Sequence, residues 1–341
     1  MTDVQAPAST RPLVKVEGLQ KLFPIGSSRF RAPEAYVHAV DGINFEIAPG
    51  ESLGLVGESG CGKSTTGRML VRLMEPTAGS ILLQDGDEML DIAAIDKRDM
   101  LRFRRRVQMI FQDPFESLNP RRTVYDTVAE PLTVQRVGSV LEREVRVAKL
   151  LDLVGLSPAD TFMFRYPHEL SGGQRQRVAI ARALVLDPSF VVADEPTSML
   201  DVSIRISIMD LMLSLAEEFG VSYLYITHDL AVARYMCDRI AVMYLGKIVE
   251  ITDTEELLSN PLHPYTKALL SAVPVPDPAY KRPDVLIKGG IAKAINPPPV
   301  CRFVDRCPMA TDFCRTHDHP DLEDKGNRHF VACHLVESSA G

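Results

Sequence analysis

The chain has 341 residues, of which 45% are hydrophobic and 24% charged, and its formal net charge is −7. These values describe a globular protein of roughly two domains and exclude a disordered or collagen-like chain. The acidic balance argues against a general nucleic-acid binder. No run approaches the roughly 18 apolar residues of a membrane helix, so work at a membrane requires a partner's spanning helices. The start, Met1-Thr2-Asp3-Val4, lacks the basic head and apolar run of a signal peptide. Six cysteines without an export signal point to metal ligation or free thiols, not a disulfide framework.

In chain order, residues 13–17 and 43–47 have the pattern of short strands. Residues 52–56 (Ser-Leu-Gly-Leu-Val) form a buried strand that runs into a glycine-rich loop. A helix is expected from Lys63 to about Met74, then a strand at 80–83. Lys97-Arg98 and Arg102 to Arg106 make a basic cluster, read as a solvated helix face, before a strand over Val107–Phe111 that leads to Gln112. Residues 114–170 are mostly helical in pattern and read as an inserted subdomain. Phe190–Ala193 and Tyr223–Ile226 are apolar runs of the kind buried in parallel sheets. Between them Ile204, Ile208, Leu211 and Leu215 share one helical face, with Asp201 as its expected N-cap. Arg239–Ile251 reads as a hairpin turning at Gly246-Lys247. Alternating strands and helices make the class α/β. After Asn260 the prolines Pro274, Pro276, Pro278, Pro283 and Pro297 to Pro299 mark an extended linker. Cys237, amid apolar residues, is expected in the core.

Gly57-Glu58-Ser59-Gly60-Cys61-Gly62-Lys63-Ser64 fits G-x-x-x-x-G-K-S between a strand and a helix. In such a loop backbone N–H groups and the helix N-terminus face phosphate oxygens, the lysine reaches the outer phosphates and the serine hydroxyl ligates Mg²⁺. Phe190 to Glu195 is an apolar strand ending in two carboxylates. Asp194 suits Mg²⁺ through a water ligand, and Glu195 suits polarising an attacking water. Leu170-Ser171-Gly172-Gly173-Gln174 opens a helix. Ser171 there is either a plain N-cap or part of a second anion cradle. One nucleotide hardly needs two cradles in one chain, whereas two chains placed head to tail would each close over the other's ATP.

With these motifs the sequence resembles the ABC ATPase family, and Leu170 to Gln174 is its signature motif unaltered. The resemblance spans roughly residues 13–260 and implies a P-loop ABC ATPase, with a RecA-like core, an antiparallel β subdomain and a helical subdomain at about 114–170. Residues 1–260 would form the nucleotide-binding domain and 261–341 a small Cys-rich extension. ATP would be bound by Gly57, Ser59, Gly60, Cys61, Gly62, Lys63, Ser64, Thr65 and Asp194, with Phe23 stacking on adenine (Tyr36 is the alternative). Mg²⁺ would be held by Ser64, Gln112 and, through water, Asp194. Gln112 resembles the Q-loop glutamine and His228 the switch histidine, which with Glu195 make the catalytic set. Ser171, Gly172, Gly173 and Gln174 would serve ATP bound by the partner. Ser198 to Asp201 resembles the D-loop, with Met199 where alanine is usual and Asp201 as the contact across the dimer.

Cys301, Cys307, Cys314 and Cys333 have the spacing C-x5-C-x6-C-x18-C, too wide for a simple zinc knuckle and unlike ferredoxin spacings. From the residues alone they are four soft ligands of one metal centre, or free thiols. Asn260 to Thr266 and Pro297 to Cys301 resemble the C-terminal extension of peptide-importer ATPases, in which these cysteines hold a [4Fe–4S] cluster. That resemblance implies import of di- or oligopeptides; oligosaccharides and nickel chelates are alternative cargoes. It also implies a second, homologous ATPase as partner in a heterodimer, two transmembrane permease subunits, an extracytoplasmic solute-binding protein and a peripheral place on the cytoplasmic face of the membrane, with no nucleic acid. Two rival classes are a soluble ABC ATPase of DNA repair and an iron–sulfur redox protein. The first would need long coiled coils or a DNA-binding insertion, and the second another redox centre or an organic substrate pocket.

Overall fold

The computed structural model describes residues 11–26, 32–96, 98–272, 287, 290 and 294–337. The N-terminal part builds an antiparallel sheet from β1 (Val14–Ile25), β2 (Ala35–Ile47), β4 (Ala78–Asp85) and β5 (Glu88–Asp91), in the order β2-β1-β4-β5. Between β2 and β4 the chain crosses into a second sheet through β3 (Ser52–Val56) and then forms α1 (Lys63–Leu70). Beyond β5 come α2 (Met100–Arg106) and β6 (Val107–Ile110), and then the helical subdomain: α3 (Pro114–Ser117), α4 (Val124–Val134), α5 (Val140–Leu153) and α6 (Ala159–Met163). The chain continues as α7 (Gly172–Leu184), β7 (Phe190–Asp194), α8 (Val202–Phe219), β8 (Ser222–Thr227), α9 (Leu230–Met236) and the hairpin β9 (Arg239–Tyr244) and β10 (Lys247–Asp253). After α10 (Thr254–Ser259) and α11 (Pro264–Ser271), the C-terminal segment adds α12 (Asp312–Thr316), β11 (Glu323–Asp324) and β12 (Phe330–Val331). The second sheet runs β11-β12-β10-β9-β3-β8-β7-β6, with the run from β9 to β6 parallel.

Every residue of β3, β7 and β8 is buried, which is why these strands read as unbroken apolar runs. One core cluster joins Val14, Ile43 and Ile81 of the first sheet to Leu53, Leu55 and Met243 of the second. The other packs Val191 and Tyr223 against helical residues such as Leu132, Leu151, Ile180 and Ile208. Helix starts follow local chemistry. Thr123 with Asp126, Ser139 with Glu142 and Ser171 with Gln174 each form a capping box. Ile208 and Leu215 of α8 are buried as their spacing predicts. Asp201 does stand at the N-cap position, but its side chain makes no cap hydrogen bond.

Other expectations need correction. Helix α1 stops at Leu70, short of Met74, because Arg72 turns left-handed at φ 55°. The β9–β10 turn is Leu245-Gly246, both at positive φ, and Lys247 already belongs to the strand. Strands β1 and β2 run far beyond 13–17 and 43–47. Register shifts between Val16 and Leu22 break the alternation that would have revealed their length. Arg102 and Arg106 pair with Asp85, so the basic face is partly tied to β4. Lys97 and the prolines at 274, 276, 278 and 283 lie outside the described residues.

The C-terminal segment is not set apart from the rest. Strand β12 pairs antiparallel with β10 and extends the main sheet. Phe303 is buried against Tyr244 and Tyr265, with ring centroids 5.2 and 5.5 Å away. Glu250, fully buried on β10, accepts hydrogen bonds from the backbone N–H groups of Leu262 and His263 and pairs with His329 Nε2 at 2.7 Å. Burial pulls the His329 pKa down, but the Glu250 and Glu256 carboxylates outweigh it and leave the pKa raised above 6.5. A raised folded-state pKa stabilises the fold fully below the unfolded value and stops doing so as pH rises through the folded value. His329→Ala should therefore cost about 3 kcal/mol in denaturant unfolding at pH 6, since it strands a buried carboxylate. The gap to the parent protein should narrow as pH rises past the raised pKa; a gap independent of pH would show that the imidazolium does not hold the tail.

Candidate active site

The loop between β3 and α1 is shaped by lack of space. Gly57, Gly60 and Gly62 have φ of 154°, 79° and 117°. A Cβ on Gly57 would stand 2.2 Å from the Met243 carbonyl oxygen, and one on Gly62 would stand 2.2 Å from that of Ala39. The loop is thus wedged between β2 and β9, and only glycine fits both contacts. Lys63, buried at the start of α1, turns its Nζ back onto the carbonyl oxygens of Gly57 at 2.8 Å and Glu58 at 3.0 Å. The Ser64 hydroxyl donates to Asp194 Oδ1 at 2.9 Å. Burial raises the Asp194 pKa and also that of the Cys61 thiol, which makes Cys61 a poor nucleophile.

Neighbouring parallel strands deliver the next groups at their carboxyl ends, where open α/β sheets bind ligands. Gln112 follows β6, Glu195 follows β7 and His228 follows β8. Glu195 takes a left-handed φ of 46° while its N–H is held by the Ile226 carbonyl at 2.9 Å. Its carboxylate sits between two partners: Gln112 Nε2 donates to Oε2 at 3.0 Å, and His228 Nδ1 lies 3.0 Å from Oε1. With residues 57–60 and 62–65 these three side chains line one cavity of about 630 Å³, whereas Cys61 and Asp194, expected to bind ATP, are not in its lining. The arrangement offers a cradle of N–H groups and a lysine for phosphate, hard oxygen donors at Ser64 and Asp194 for a divalent cation, and a carboxylate braced beside an exposed imidazole.

The structure does not bring every expected residue to this cavity. Neither Phe23 nor Tyr36 lines it; Phe23 pairs in register with Val37, which lines an adjoining recess of about 270 Å³. Ser171 to Gln174 and Asp201 also lie off the cavity lining. Ser171 does cap α7, and Gly173 is required sterically, because a Cβ there would meet Ile204 Cγ2 at 2.7 Å. Sequence reasoning missed Ala39 and Leu269 in the cavity wall, and Ala294 and Ile295 in the recess. An apolar residue far away in the chain carries no local signal of such a role.

Cys301, Cys307, Cys314 and Cys333 line a single small cavity of about 10 Å³. Burial, reinforced by the other three cysteines, pushes the Cys301 pKa up to about 11, and burial raises that of Cys333 as well. No carboxylate lines this cavity. Among the described residues, no group of three or more His, Cys, Asp or Glu side chains is arranged to hold a metal ion.

The pKa of Asp194 generates a prediction. A buried carboxylate with a raised pKa costs stability above that pKa. Asp194→Asn should raise the Tm of nucleotide-free protein by about 2 °C at pH 8. The gain should vanish as pH falls through the raised pKa. An unchanged or lower Tm at pH 8 would show that the charge is not strained there.

Comparison with known proteins gives the family. A family model described as ABC transporter matches residues 40–198, and one described as oligopeptide/dipeptide transporter, C-terminal region, matches residues 249–314. The chain is 47% identical over 330 residues to the oligopeptide transport ATP-binding protein AppF of Bacillus subtilis, covering 96% of this chain and 98% of that one. It is 49% identical to a putative peptide import ATP-binding protein of Brucella ovis, covering 94% and 97%. Among solved structures it resembles the ATP-binding cassette MJ0796, captured as a dimer in a post-hydrolysis state with ADP and Pi. The TM-score is 0.61 and the identity 31%, over 71% of this chain and 98% of that one. With nearly half its residues shared along almost its full length, the chain belongs to the ATP-binding proteins of ABC transporters, in their oligopeptide/dipeptide group.

Proposed function

We propose that this chain hydrolyses ATP to drive import of di- or oligopeptides, and that the cavity at the phosphate loop is where hydrolysis occurs. The observation that carries the reading is the Glu195 carboxylate, held by Gln112 and His228 at the mouth of the loop that contains Lys63. On this reading the loop N–H groups and Lys63, released from its own loop carbonyls, take the β- and γ-phosphates. Glu195 accepts a proton from water as the water oxygen attacks the γ-phosphorus in line and ADP leaves. His228 contacts the γ-phosphate and Gln112 orients the water and senses Mg²⁺. Ser64, Gln112 and, through water, Asp194 would hold Mg²⁺; the Ser64 and Asp194 oxygen atoms already lie together, and the ion would neutralise phosphate charge. Phe23 is the proposed adenine partner, through its position beside the Val37 recess.

In this account Ser171 to Gln174 and Asp201 act across a dimer with a second, homologous ATPase. Their place off this chain's own cavity supports that role. Among the described residues no helix is long and apolar enough to cross a membrane, which supports a peripheral position under two permease subunits, with an extracytoplasmic binding protein supplying the peptide. The names printed for the relatives in Bacillus and Brucella favour peptides over oligosaccharides or nickel chelates. The rival reading as a DNA-repair ATPase finds no long coiled coil among the described residues, whose longest helix is α8. We divide the chain into a nucleotide-binding domain at 1–260 and an extension at 261–341. The extension's four cysteines are proposed to hold a [4Fe–4S] cluster with a structural role. All four cysteines line one small cavity that has no carboxylate in its lining, and four soft ligands suit such a centre.

Glu195→Gln should lower turnover at least about 100-fold while ATP binding persists, and Lys63→Ala should instead weaken binding itself. Near-normal turnover in the Glu195 variant would remove it from the mechanism. Protein purified without oxygen should carry about four irons and four sulfides per chain, and Cys307→Ser should bleach it. Stoichiometric zinc without sulfide would overturn the cluster while leaving the ATPase reading intact.

A further inference from the structure

The phosphate loop has an outer face, and the C-terminal segment covers it. Glu58 is the first unspecified position of the loop motif. Its backbone N–H points away from the phosphate side and donates to Tyr265 Oη at 2.9 Å. Its carboxylate receives both arms of the Arg306 guanidinium: Nη1 reaches Oε2 at 2.8 Å and Nη2 reaches Oε1 at 3.0 Å. Two parallel, charge-assisted bonds fix a direction as well as a distance. The Arg306 side chain is only 10% exposed, so water screens this pair little. Neither anchor is free to drift. Tyr265 is fully buried, with its ring centroid 4.6 Å from that of Tyr244, and the Arg306 guanidinium lies 5.6 Å from the Tyr244 ring. Cys307, next in the chain, belongs to the buried core.

The same Glu58 residue faces the site through its carbonyl oxygen, which accepts from Lys63 Nζ at 3.0 Å and from the Cys61 N–H at 3.3 Å. One residue therefore links the tail to Lys63, the lysine proposed to meet the phosphates. We infer that Arg306 is a positioning residue for ATP: by holding Glu58 it keeps the loop in its binding curl before nucleotide arrives. A loop ordered in advance loses less freedom on binding, and the gain appears in affinity. Arg306 is not in the lining of the cavity, so it should act on affinity more than on the chemical step. The inference rests on the reading that residues 57–64 bind ATP phosphates.

The test uses the full chain, with ATP affinity measured by equilibrium binding and KM and kcat measured in the assembled transporter. Arg306→Ala should raise Kd and KM about tenfold with kcat changed by less than about twofold. Arg306→Lys should recover part of the loss, since it restores the charge but not the fork. Glu58→Gln, which leaves every tail side chain in place, should reproduce the effect of Arg306→Ala, and the double variant should be no worse than either single one. A Kd unchanged in Arg306→Ala, or penalties that multiply in the double variant, would overturn the inference. Lys63→Ala separates the two readings: lost binding there beside an unchanged Arg306 variant overturns only the positioning role. Retained binding in Lys63→Ala would overturn the phosphate-loop reading and this inference together.

Discussion

The contact on which the structure depends is the one between the phosphate loop and two flanking backbones. At Gly57 and Gly62 the loop leaves no room for even a methyl group against the carbonyl oxygens of Met243 and Ala39. Met243 belongs to the main sheet and Ala39 to the antiparallel one, so the loop is the seam between the two. A larger side chain at either glycine would push the sheets apart as well as distort the cradle. The core cluster that spans the sheets, through Val14, Ile43, Leu53 and Met243, closes around this seam. Fold and site are thus set by one steric condition.

The remaining parts are placed relative to that seam. Strands β6, β7 and β8 lie side by side, and their ends bring Gln112, Glu195 and His228 into one row above Lys63 and Ser64. The backbone strain at Glu195, with φ 46°, is maintained by its bond to Ile226 and aims the carboxylate between its two partners. The tail reaches the same seam from outside. Through Phe303, Arg306 and His329 it is fastened to β9, the phosphate loop and β10 respectively. A segment that reads in sequence as an appendage is therefore part of the wall behind the 57–64 loop.

What the sequence revealed, and what it hid, follows from the range of the interactions. Strands β3, β7 and β8 were legible because burial on both faces leaves only apolar residues. The 57–64 loop was legible because its chemistry needs fixed residue types at fixed spacing. Half-buried β1 and β2 were seen only as fragments, since their register shifts interrupt the alternation. The turn at Leu245 was missed because a leucine at positive φ breaks the usual rule for such turns. The Arg306–Glu58 pair spans 248 residues and sits at a position that the motif leaves open. No local pattern could announce it. Phe23 is an aromatic near the position expected for an adenine partner, and the strand register sets it beside the recess wall without placing it in the lining.

The central claim is that one chain carries two anion cradles for two different ATP molecules. The first is built around Lys63 and the second, at Ser171, caps a helix that does not line the first cavity. Equilibrium binding of ATP to the isolated chain bearing Ser171→Arg tests this most directly. The account predicts a Kd equal to that of the parent chain, with hydrolysis lost only after assembly with the partner ATPase. Loss of ATP binding in the isolated Ser171→Arg chain would contradict it, since the signature would then belong to the chain's own site.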